Sequence, residues 1–373
     1  MADYTDTGLP FIRGVNLAKG LFFDAGFVFV SEQKAQQVKS AIVASGDLVL
    51  TRKGTIGQVS MIPRRSRYKR YVISGSQMKA RLDPSVAFPE FYYYWFRSDA
   101  GQQALLANVS TVGVPSIANS LGTLKGIKVP VPPLQTQQAI VRVLEALDDK
   151  IAFNESVVEC ADELRRLSLA DFATKREDLA QRRPLTSFAE FINGRAFTKG
   201  ATGTGRMVVR IAELNSGPGR STVYNDLDVP ERHLARAGDV LFAWSGSLTV
   251  ARWCRSEAII NQHIFKVIPR LGVPTWLAYE LVLSKLSEFK SIAADKATTM
   301  GHIQRRHLEE PVFAPTTDAI PRLHDHLGPL WDRALAAEQE SLTLAEMRDT
   351  LLPGLMSGAI RVREAEKAVE DAV

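Results

Sequence analysis

The sequence predicts an α+β protein in which two mixed α/β domains form a tandem pseudo-repeat, each followed by a long helix of a shared coiled coil. Residues 46–56 read GDLVLTRKGTI, and residues 238–248, 192 positions later, read GDVLFAWSGSL without a gap. Behind each copy, apolar residues recur at the three-and-four spacing of a coiled coil. A repeat of half the chain indicates duplicated domains, because solenoid repeats span only about 20–50 residues.

The composition is that of an ordinary water-soluble protein with room for two or three domains. The chain has 373 residues, of which 45% are apolar and 23% charged. No run approaches the roughly 18 apolar residues of a membrane span, and the N-terminal segment lacks a signal-peptide core. Cys160 and Cys254 have no neighbours that would complete a zinc motif or a disulfide framework. We therefore expect a cytoplasmic protein that does not enter a membrane.

The first part of each copy is predicted to be a sheet, because runs such as DLVLT, QVSMI, DVLFAW and HIFKVI have strand character. Residues 90–98 and 275–286 predict helices on these sheets. The aromatic side chains of 90–98 are expected in the core or, alternatively, stacked on a ligand.

Two further pairs of segments extend the repeat, and the second pair aligns Gln77 with Gln262. The matching segments are FIRGVNL (11–17) with VVRIAEL (208–214), and SQMKARLDP (76–84) with NQHIFKVIP (261–269).

Beyond the prolines that close each domain, the pattern becomes helical. If residues 136–178 form one helix, its length is about 65 Å at 1.5 Å per residue, which suits a spacer. Asn154 lies within the first seam, where a polar residue fixes register. The alternative is that both helices are buried in an ordinary bundle. The predicted seams are Ile140, Leu144, Leu147, Ile151, Val158, Ala161, Leu164 and Leu167, and Ile320, Leu323, Leu327, Leu330, Ala334, Ala337, Leu344, Met347 and Leu351.

These patterns divide the chain into two domains, two spacer helices and a tail, and the net charge alternates along them. The two domains carry +8 and +4, whereas the helical stretches behind them carry −2 and −5. Basic domains favour a polyanion, and acidic helices favour a different partner. The predicted segments are a first domain (1–133), a first helix (134–183), a second domain (184–315), a second helix (316–358) and a C-terminal tail (359–373).

A basic cluster in the first domain indicates binding to a nucleic-acid backbone. Five cations lie within seven residues, and two tyrosines lie among or beside them. Cations that reach phosphates give affinity that falls with salt but no choice of sequence. The alternative is a solvated charged loop. The cluster comprises Arg64, Arg65, Arg67, Tyr68, Lys69, Arg70 and the adjacent Tyr71.

Polar loops beside cations have the chemistry that reads base edges. In the second domain such a loop is KATTMGHI (296–303), and VSTVGVPSI (109–117) takes the corresponding place in the first domain. Which residue reads which base does not follow from the pattern. The further DNA-binding candidates are Arg52, Lys53, Gln77, Trp244, Ser245, Arg252, Arg255, Asn261, Gln262, Lys296, Thr298, Thr299, His302, Arg305 and Arg306.

No catalytic or metal motif stands out. The chain has no GxxxxGK[ST] phosphate loop, no GxSxG elbow and no NPPY-type methyltransfer sequence, and its histidines have no partners at ligand spacing. One degenerate set, Asp24, Glu32 and Lys34, leaves open a stand-alone nuclease with a bound metal ion. The sequence therefore favours a binding protein over an enzyme.

The ordered motifs closely resemble the specificity subunit of type I DNA restriction-modification enzymes. The resemblance implies two target-recognition domains, separated by two long antiparallel helices, that each read half of a split DNA target. It also implies no catalysis and no cofactor on this chain. The implied partners are double-stranded DNA, two methyltransferase subunits that use S-adenosylmethionine, and motor-nuclease subunits that use ATP and magnesium. The methyltransferase subunits would dock on the helices at Ile140, Leu144, Leu147, Ile151, Leu327 and Leu330. The motifs are GDLVLTRKGTIG, SGSQM, VPVPPLQTQQAIVRVLEALDDKI, GDVLFAWSGSL, INQHIFKV and MRDTLLPGLMSGAIRV.

One departure concerns the start of the first domain. The second domain has 26 residues from Pro184 up to Arg210, whereas only 12 precede the equivalent Arg13. The first domain is therefore expected to lack an opening strand and loop of about 14 residues. Either translation starts upstream, or the first domain binds DNA poorly. The second possibility leaves open an assembly scaffold or decoy.

Overall fold

The computed structural model describes residues 4–110, 113–295 and 301–372. The chain forms two compact units, Met1–Lys150 with Leu344–Val373, and Ile151–Thr343. The division falls inside both long helices, so each unit contains one mixed domain and a part of each helix. No helix in the described ranges is long and apolar enough to cross a membrane.

The described residues of the first unit form ten short strands and the helices that pack beside them. Its elements are β1 (Tyr4–Thr5), β2 (Leu9–Ile12), β3 (Val28–Val30), α1 (Glu32–Gln37), β4 (Ile42–Val43), β5 (Leu48–Thr51), β6 (Val59–Met61), β7 (Tyr71–Ile73), β8 (Gln77–Ala80), α2 (Pro89–Arg97), α3 (Asp99–Leu106), β9 (Val109–Ser110), β10 (Ser116–Ile117), α4 (Ser120–Gly126) and the start of α5 (Leu134–Lys175).

The second unit follows the same plan. Its elements are β11 (Ala180–Pro184), β12 (Ala189–Asn193), β13 (Arg206–Val209), α6 (Ile211–Ser216), β14 (Val223–Asn225), β15 (Leu234–Ala235), β16 (Val240–Ala243), β17 (Thr249–Arg252), β18 (Ala258–Ile260), β19 (Ile264–Pro269), α7 (Thr275–Ser284), α8 (Leu286–Asp295), β20 (Pro311–Pro315) and α9 (Ile320–Ser357), after which α10 (Val362–Glu370) belongs to the first unit.

Two sheets in each unit repeat the same topology. In the first unit β2 runs parallel to β7, and β4 is antiparallel to β7. In the second unit β13 runs parallel to β18, and β15 is antiparallel to β18. The other sheet has the order β6-β5-β8 in the first unit and β12-β19-β16-β17 in the second. The predicted tandem repeat of mixed α/β domains is therefore confirmed.

Lysine hydrogen bonds fix which residues of the two units correspond. Lys79 Nζ donates to a carbonyl of β4 at 2.6 Å, and Lys266 Nζ donates to a carbonyl of β15 at 2.7 Å. Lys79 therefore corresponds to Lys266. The predicted alignment of Gln77 with Gln262 is wrong by two residues, because Thr51 pairs with Gln77 whereas the equivalent Ala243 pairs with Ile264, so the connection in the second unit is two residues longer than that alignment assumed. Gly75 corresponds to Gln262.

The predicted aromatic helix forms at Pro89, because proline suits the first turn of a helix and its fixed φ is already helical. Ser98 ends this helix and its hydroxyl caps the next by accepting a hydrogen bond from the Gly101 amide. Phe91, Tyr92 and Trp95 are buried. The prediction that this aromatic set belongs to the core is therefore confirmed.

In each unit the segments of α5 and α9 lie against one another. In the first unit Arg348 Nη1 donates to Asp148 Oδ1 at 2.7 Å. In the second, Asn154 Nδ2 donates to Glu340 Oε2 at 2.8 Å, and the Arg165 guanidinium lies 5.2 Å from the Trp331 ring centre. Because higher numbers on α5 meet lower numbers on α9, the segments are antiparallel. Asn154 is fully buried in the seam, as predicted.

Two predicted seam residues are exposed instead. Leu164 is 53% exposed and Leu167 55%, whereas Arg165 is completely buried. The buried face of α5 continues through Ala161 to Arg165, since the guanidinium finds acidic partners there. The leucines consequently lie on the neighbouring face of the helix, and their assignment to the seam is wrong.

The residues predicted to dock partners also need a correction. Ile140, Leu144, Leu147 and Leu327 are buried within their own units, and Ile151 and Leu330 are half-buried. Their side chains hold the helices to the rest of the unit. A partner that docks on these helices therefore cannot rely on the four buried side chains, whereas Ile151 and Leu330 remain candidates.

Candidate nucleic-acid interface

Three segments of the second unit converge at Trp244, His263 and His302, which we call the second-unit junction. The Trp244 amide donates to the His263 carbonyl at 3.1 Å, and His302 forms a β-bridge with Ser245. The Trp244 ring lies 5.1 Å from the His263 ring and 6.3 Å from the His302 ring. Aromatic and imidazole groups thus meet at the surface, since His302 is exposed and Trp244 half-buried.

The first unit builds the same junction from Arg52, Ser76 and Ser116, which we call the first-unit junction. The Arg52 amide donates to the Ser76 carbonyl at 2.9 Å, and Ser116 forms a β-bridge with Lys53. These contacts correspond one for one to those of the second unit. Arg52 Nε and Nη2 also donate to the Gly75 carbonyl, at 3.0 and 2.8 Å. We call this shared set of backbone contacts the backbone frame. It carries cationic and hydroxyl side chains in the first unit, and aromatic and imidazole side chains in the second.

The glycine of the repeated motif explains why this frame recurs. The Gly54 amide donates to the Pro115 carbonyl at 2.9 Å, and the Gly246 amide donates to the Gly301 carbonyl at 2.9 Å. Gly54 has φ +88° and Gly246 φ +63°, a region that other residues rarely adopt. The described ends of the two polar loops, 113–117 and 301–303, are thus fastened to equivalent places, in agreement with the predicted correspondence of the loops. Lys296, Thr298 and Thr299 lie outside the described residues.

The basic cluster of the first unit is exposed at all five cations. Arg64 Nε donates to Glu90 Oε1 at 2.7 Å, and this carboxylate raises the pKa of Arg64. Arg70 pairs with Glu32 at 3.2 Å, and Arg67 lies over the Tyr68 ring. Arg64 and Arg70 thus already have carboxylate partners. Arg65 and Lys69 are the cluster's better candidates for contact with phosphate.

Arg252 does not belong to the interface. Its Nε donates to Glu338 Oε2 at 2.8 Å, its Nη1 donates to Asp162 Oδ1 at 3.2 Å, and its side chain is 2% exposed. Burial lowers the pKa of Arg252, but the two carboxylates outweigh burial and hold the pKa above its usual value. The prediction that Arg252 contacts DNA is wrong, because the side chain fastens β17 to both long helices within the second unit.

Three other predicted readers are buried and have structural contacts. Gln77 Oε1 accepts from the Ser74 amide at 2.9 Å, which closes the turn before β8. Asn261 is 6% exposed and forms a β-bridge with Arg195, and Ser245 is 4% exposed. Their side chains do not face solvent, so a direct contact with a base edge is excluded in this conformation.

The remaining candidates lie at the surface of the second unit. Gln262, Arg305 and Arg306 are exposed, and Arg255 is half-buried. Arg305 Nη2 donates to the Phe191 carbonyl at 2.8 Å, so part of its guanidinium is already used. Gln262 and Arg306 are the better placed of this group.

Sequence reasoning missed two exposed residues beside the second-unit junction. Asn193 Oδ1 accepts a hydrogen bond from Trp244 Nε1 at 2.8 Å, and the Arg195 carbonyl accepts one from the Gln262 amide at 2.9 Å. Asn193 ends β12 and Arg195 follows it, and the described part of the first unit has no counterpart of β12. The repeat therefore gave no second copy that would have drawn attention to them.

The set proposed for a metal-dependent nuclease is not assembled. Asp24 Oδ1 accepts from the Tyr71 hydroxyl at 2.7 Å, and Glu32 pairs with Arg70. Burial, together with the bond to Asp24, raises the pKa of Tyr71 to about 12. Across the described residues no three His, Cys, Asp or Glu side chains are grouped to hold a metal ion. Lys34 and the two carboxylates thus give no support to the nuclease alternative.

Comparison with known proteins agrees with the fold described above. Residues 2–159 match the family model of the type I restriction modification DNA specificity domain. The chain is 21% identical to the type I restriction enzyme MjaIX specificity subunit of Methanocaldococcus jannaschii, over 97% of this chain and 89% of that protein. The crystal structure of a type I restriction-modification S subunit from M. genitalium has the same fold, with a TM-score of 0.55 at 14% identity, over 94% of this chain and 93% of that one. Residues 2–159 are therefore similar to a type I restriction modification DNA specificity domain, and nearly the whole chain is similar to the specificity subunit of such an enzyme.

Proposed function

We propose that this protein is the non-catalytic DNA-recognition subunit of a type I restriction-modification complex and reads a target made of two unlike half-sites. The observation that carries the proposal is the pair of junctions. The same backbone frame presents Arg52, Ser76 and Ser116 in one unit and Trp244, His263 and His302 in the other. Two readers with equal frames and unequal side chains suit two different base sequences.

The chemistry of the junctions suggests different preferences. An arginine can donate two hydrogen bonds to the acceptors of guanine in the major groove, and hydroxyl groups can serve any base. The second-unit junction offers indole and imidazole groups, which contact the thymine methyl group or form single hydrogen bonds. Arg65 and Lys69 would contact phosphates, which sets affinity and register without selecting sequence.

The two long helices would set the length of the unread gap between the half-sites. In this proposal residues 1–133 and 184–315 are the recognition domains, 134–183 and 316–358 contain the spacer helices, and 359–373 form the tail. The net charge supports this division, since both domains are basic and both helical stretches acidic. Basic domains suit DNA, whereas acidic helices suit contacts with protein.

The partner surface proposed for α5 is a row of apolar side chains that are partly or largely exposed. Phe153, Leu164 and Leu167 are 57%, 53% and 55% exposed, and Cys160 is also exposed. These residues and Val157 follow the three-and-four spacing of a helix interface, and we call them the exposed stripe. Exposed apolar rows of this kind mark protein interaction sites.

The complex would supply the chemistry that this chain lacks. Two methyltransferase subunits with S-adenosylmethionine would methylate adenine, and the target adenine must leave the base stack, which costs a few kcal/mol. Motor-nuclease subunits would use ATP and magnesium. The site of action would be the cytoplasm.

The proposal is tested by footprinting the assembled complex on DNA and by sequencing methylated adenines in cells that carry this chain and its partner subunits. We expect two protected patches on one duplex and one bipartite methylation motif. A complex that assembles but protects no DNA would reduce this chain to a scaffold. Cleavage of DNA by the purified chain with magnesium alone would contradict the non-catalytic role.

A further inference from the structure

A small polar cluster joins one helix of each domain, α2 or α7, to the long helices of its unit. The residue that makes the contact is the sixth of its helix, Tyr94 in α2 and Glu280 in α7. A tyrosine precedes it in both helices, at positions 93 and 279. The two clusters therefore occupy equivalent places in the repeat.

The first-unit seat, as we call the cluster of Tyr94, Asp148 and Arg348, is centred on the Asp148 carboxylate of α5. The Tyr94 hydroxyl donates to Asp148 Oδ2 at 2.7 Å, and Arg348 Nη1 of α9 donates to Asp148 Oδ1 at 2.7 Å. Burial lowers the pKa of Arg348, but Asp148 and Asp349 outweigh burial and hold the pKa above its usual value. The Asp148 carboxylate thus joins α2 to α9.

The second-unit seat, the cluster of Arg165, Glu280 and Trp331, is centred on the Arg165 guanidinium of α5. Arg165 Nε donates to Glu280 Oε1 at 2.7 Å, and the guanidinium lies 5.2 Å from the centre of the Trp331 ring of α9. The Tyr279 ring lies 5.2 Å from the Trp331 ring. The carboxylate of this seat therefore belongs to the domain, whereas that of the first-unit seat belongs to a long helix.

The two arginines nevertheless correspond to one another in the repeat. Asp148 and Arg165 are 17 residues apart on α5, and Trp331 and Arg348 are 17 residues apart on α9. Because the helix segments of each unit are antiparallel, Arg348 meets Asp148 and Arg165 meets Trp331 in the same register. The carboxylate has changed element between the two seats, but the arginine has kept its place.

Each arginine comes from the long helix that follows the other domain. Arg348 lies in α9, behind the second domain, yet it belongs to the seat of the first domain. Arg165 lies in α5, behind the first domain, yet it belongs to the seat of the second domain. Charge-assisted hydrogen bonds restrict orientation more than apolar contacts do, because they depend on direction as well as distance.

We infer that Arg348 and Arg165 are crossed positioning residues, which fix the orientation of the first and the second recognition domain, respectively. The inference rests on the proposed function, in which each domain reads one half-site. Each arginine acts through the domain helix that it holds, and not through a contact with a base. A change behind the second domain therefore relaxes reading of the first half-site, and a change behind the first domain relaxes reading of the second.

The experiment assembles the full complex with each variant and measures methylation over a library in which both half-sites are varied. Arg52→Ala and Trp244→Ala, which change the junctions themselves, assign one half-site to each unit. Arg348→Met should reduce base discrimination in the half-site of Arg52 at least about tenfold and leave the other half unchanged, since one good base contact gives about a tenfold preference or more. Arg165→Met should do the reverse.

The matched control is Arg333→Met, because Arg333 is an exposed arginine of α9. This variant should keep both half-sites as in the wild type. A variant that merely destabilises the chain lowers methylation of all targets alike. Equal loss on all targets with Arg348→Met, or relaxation of the half-site assigned to Trp244, would overturn the inference.

Two further variants keep the test decisive if an arginine variant unfolds its unit. Tyr94→Phe removes only the hydroxyl that donates to Asp148, and it should relax the first half-site at least about twofold. Arg165→Met with Glu280→Leu removes both buried charges of the second-unit seat, and this folded variant should still relax the second half-site. Full discrimination by both variants would contradict the positioning role.

Amide hydrogen exchange of the free chain tests the crossing without DNA. Arg348→Met should speed exchange in residues 89–97, and Arg165→Met in residues 275–284, at least about tenfold in each case. Faster exchange in the opposite helix would contradict the crossing. A wild-type complex without a bipartite motif would refute the proposed function, while the exchange measurement would still decide the crossing. An intact wild-type motif with an unchanged Arg348→Met profile would refute this inference alone.

Discussion

Arg165 of α5 and Glu280 of α7 form a buried ion pair within the second unit. Arg165 Nε donates to Glu280 Oε1 at 2.7 Å, and the two side chains are 0% and 4% exposed. Burial raises the pKa of Glu280, and the Arg165 guanidinium opposes that rise. The pair joins the spacer helix to the domain that carries the second-unit junction, so helix and reader are positioned together.

Removing one partner of this pair should destabilise the second unit strongly. Arg165→Met leaves Glu280 buried without its cation, and such losses typically cost about 3–5 kcal/mol. Chemical denaturation followed by circular dichroism, with the two units fitted as separate transitions, measures the change. Arg166→Ala is the matched control, because its pair with Glu163 is 61% and 64% exposed and should contribute at most about 1 kcal/mol.

The double variant Arg165→Met with Glu280→Leu distinguishes the pair from simple packing. An apolar pair of similar volume removes both buried charges, so most of the lost free energy of unfolding should return. A double variant as unstable as the sum of the single variants would show that the side chains act independently.

The sequence was sufficient for the repeat, the strands at the start of each domain and the long helices, because each rests on local patterns, whereas the division of the strands between two sheets was not predicted. The Gly54 and Gly246 matches mark turns whose positive φ only glycine adopts readily. Heptad spacing likewise located α5 and α9. Where the pattern failed, as at Leu164, a single charged residue in the core had shifted the buried face of the helix.

The site was less predictable, because exposure depends on contacts between distant segments. Arg252 and Arg306 are both arginines of the second domain that the sequence predicts to contact DNA. Arg252 is nevertheless buried between Asp162 and Glu338, two residues that are distant from it in the sequence. The two-residue shift that pairs Lys79 with Lys266 changes which side chains are equivalent at the junctions. Only strand registers and side-chain hydrogen bonds could reveal it.

Arg65 and Lys69 should act on affinity for all DNA sequences alike. If each contacts one phosphate, the double alanine variant should lower the slope of log K against log salt concentration by about 2, at about 0.9 per contact. Binding of the assembled complex at several salt concentrations provides the slope. Arg166→Ala serves again as the control, and an unchanged slope in the double variant would remove the cluster from the interface.

The two junctions should control opposite halves of the target. Arg52→Ala should weaken discrimination in one half-site by about 1–3 kcal/mol at a base position and leave the other half unchanged. Trp244→Ala should do the reverse. Methylation profiles over a library of variant targets separate these outcomes, and a variant that relaxes both halves equally would contradict the assignment.

His233 should make the second unit less stable at mildly acidic pH. Burial, with help from Arg195 and Arg232, lowers the pKa of His233 below its ordinary value of 6.5. The unfolded chain therefore binds this proton more readily than the folded chain. The stabilising contribution is complete above pH 6.5 and declines as pH falls through 6.5 towards the lowered pKa, by at most about 1.4 kcal/mol per pH unit.

His233→Gln should flatten the dependence of unfolding free energy on pH in that window. Denaturation curves from pH 7.5 to about 5 would record it, with His326→Gln at an exposed position of α9 as the control. A slope that persists in the His233 variant would assign the titration to another group.

The exposed stripe should determine the capture of methyltransferase subunits. Leu164→Glu with Leu167→Glu places two charges on the apolar row and adds to the acidic flank at Glu159 and Glu163. Since both leucines are more than half exposed, folding should change little while capture of the methyltransferase falls at least about tenfold. Leu271→Glu controls for an added charge, because Leu271 is fully exposed but lies off α5. Co-purification of the subunits measures capture, and full capture by the double variant would move the docking surface elsewhere.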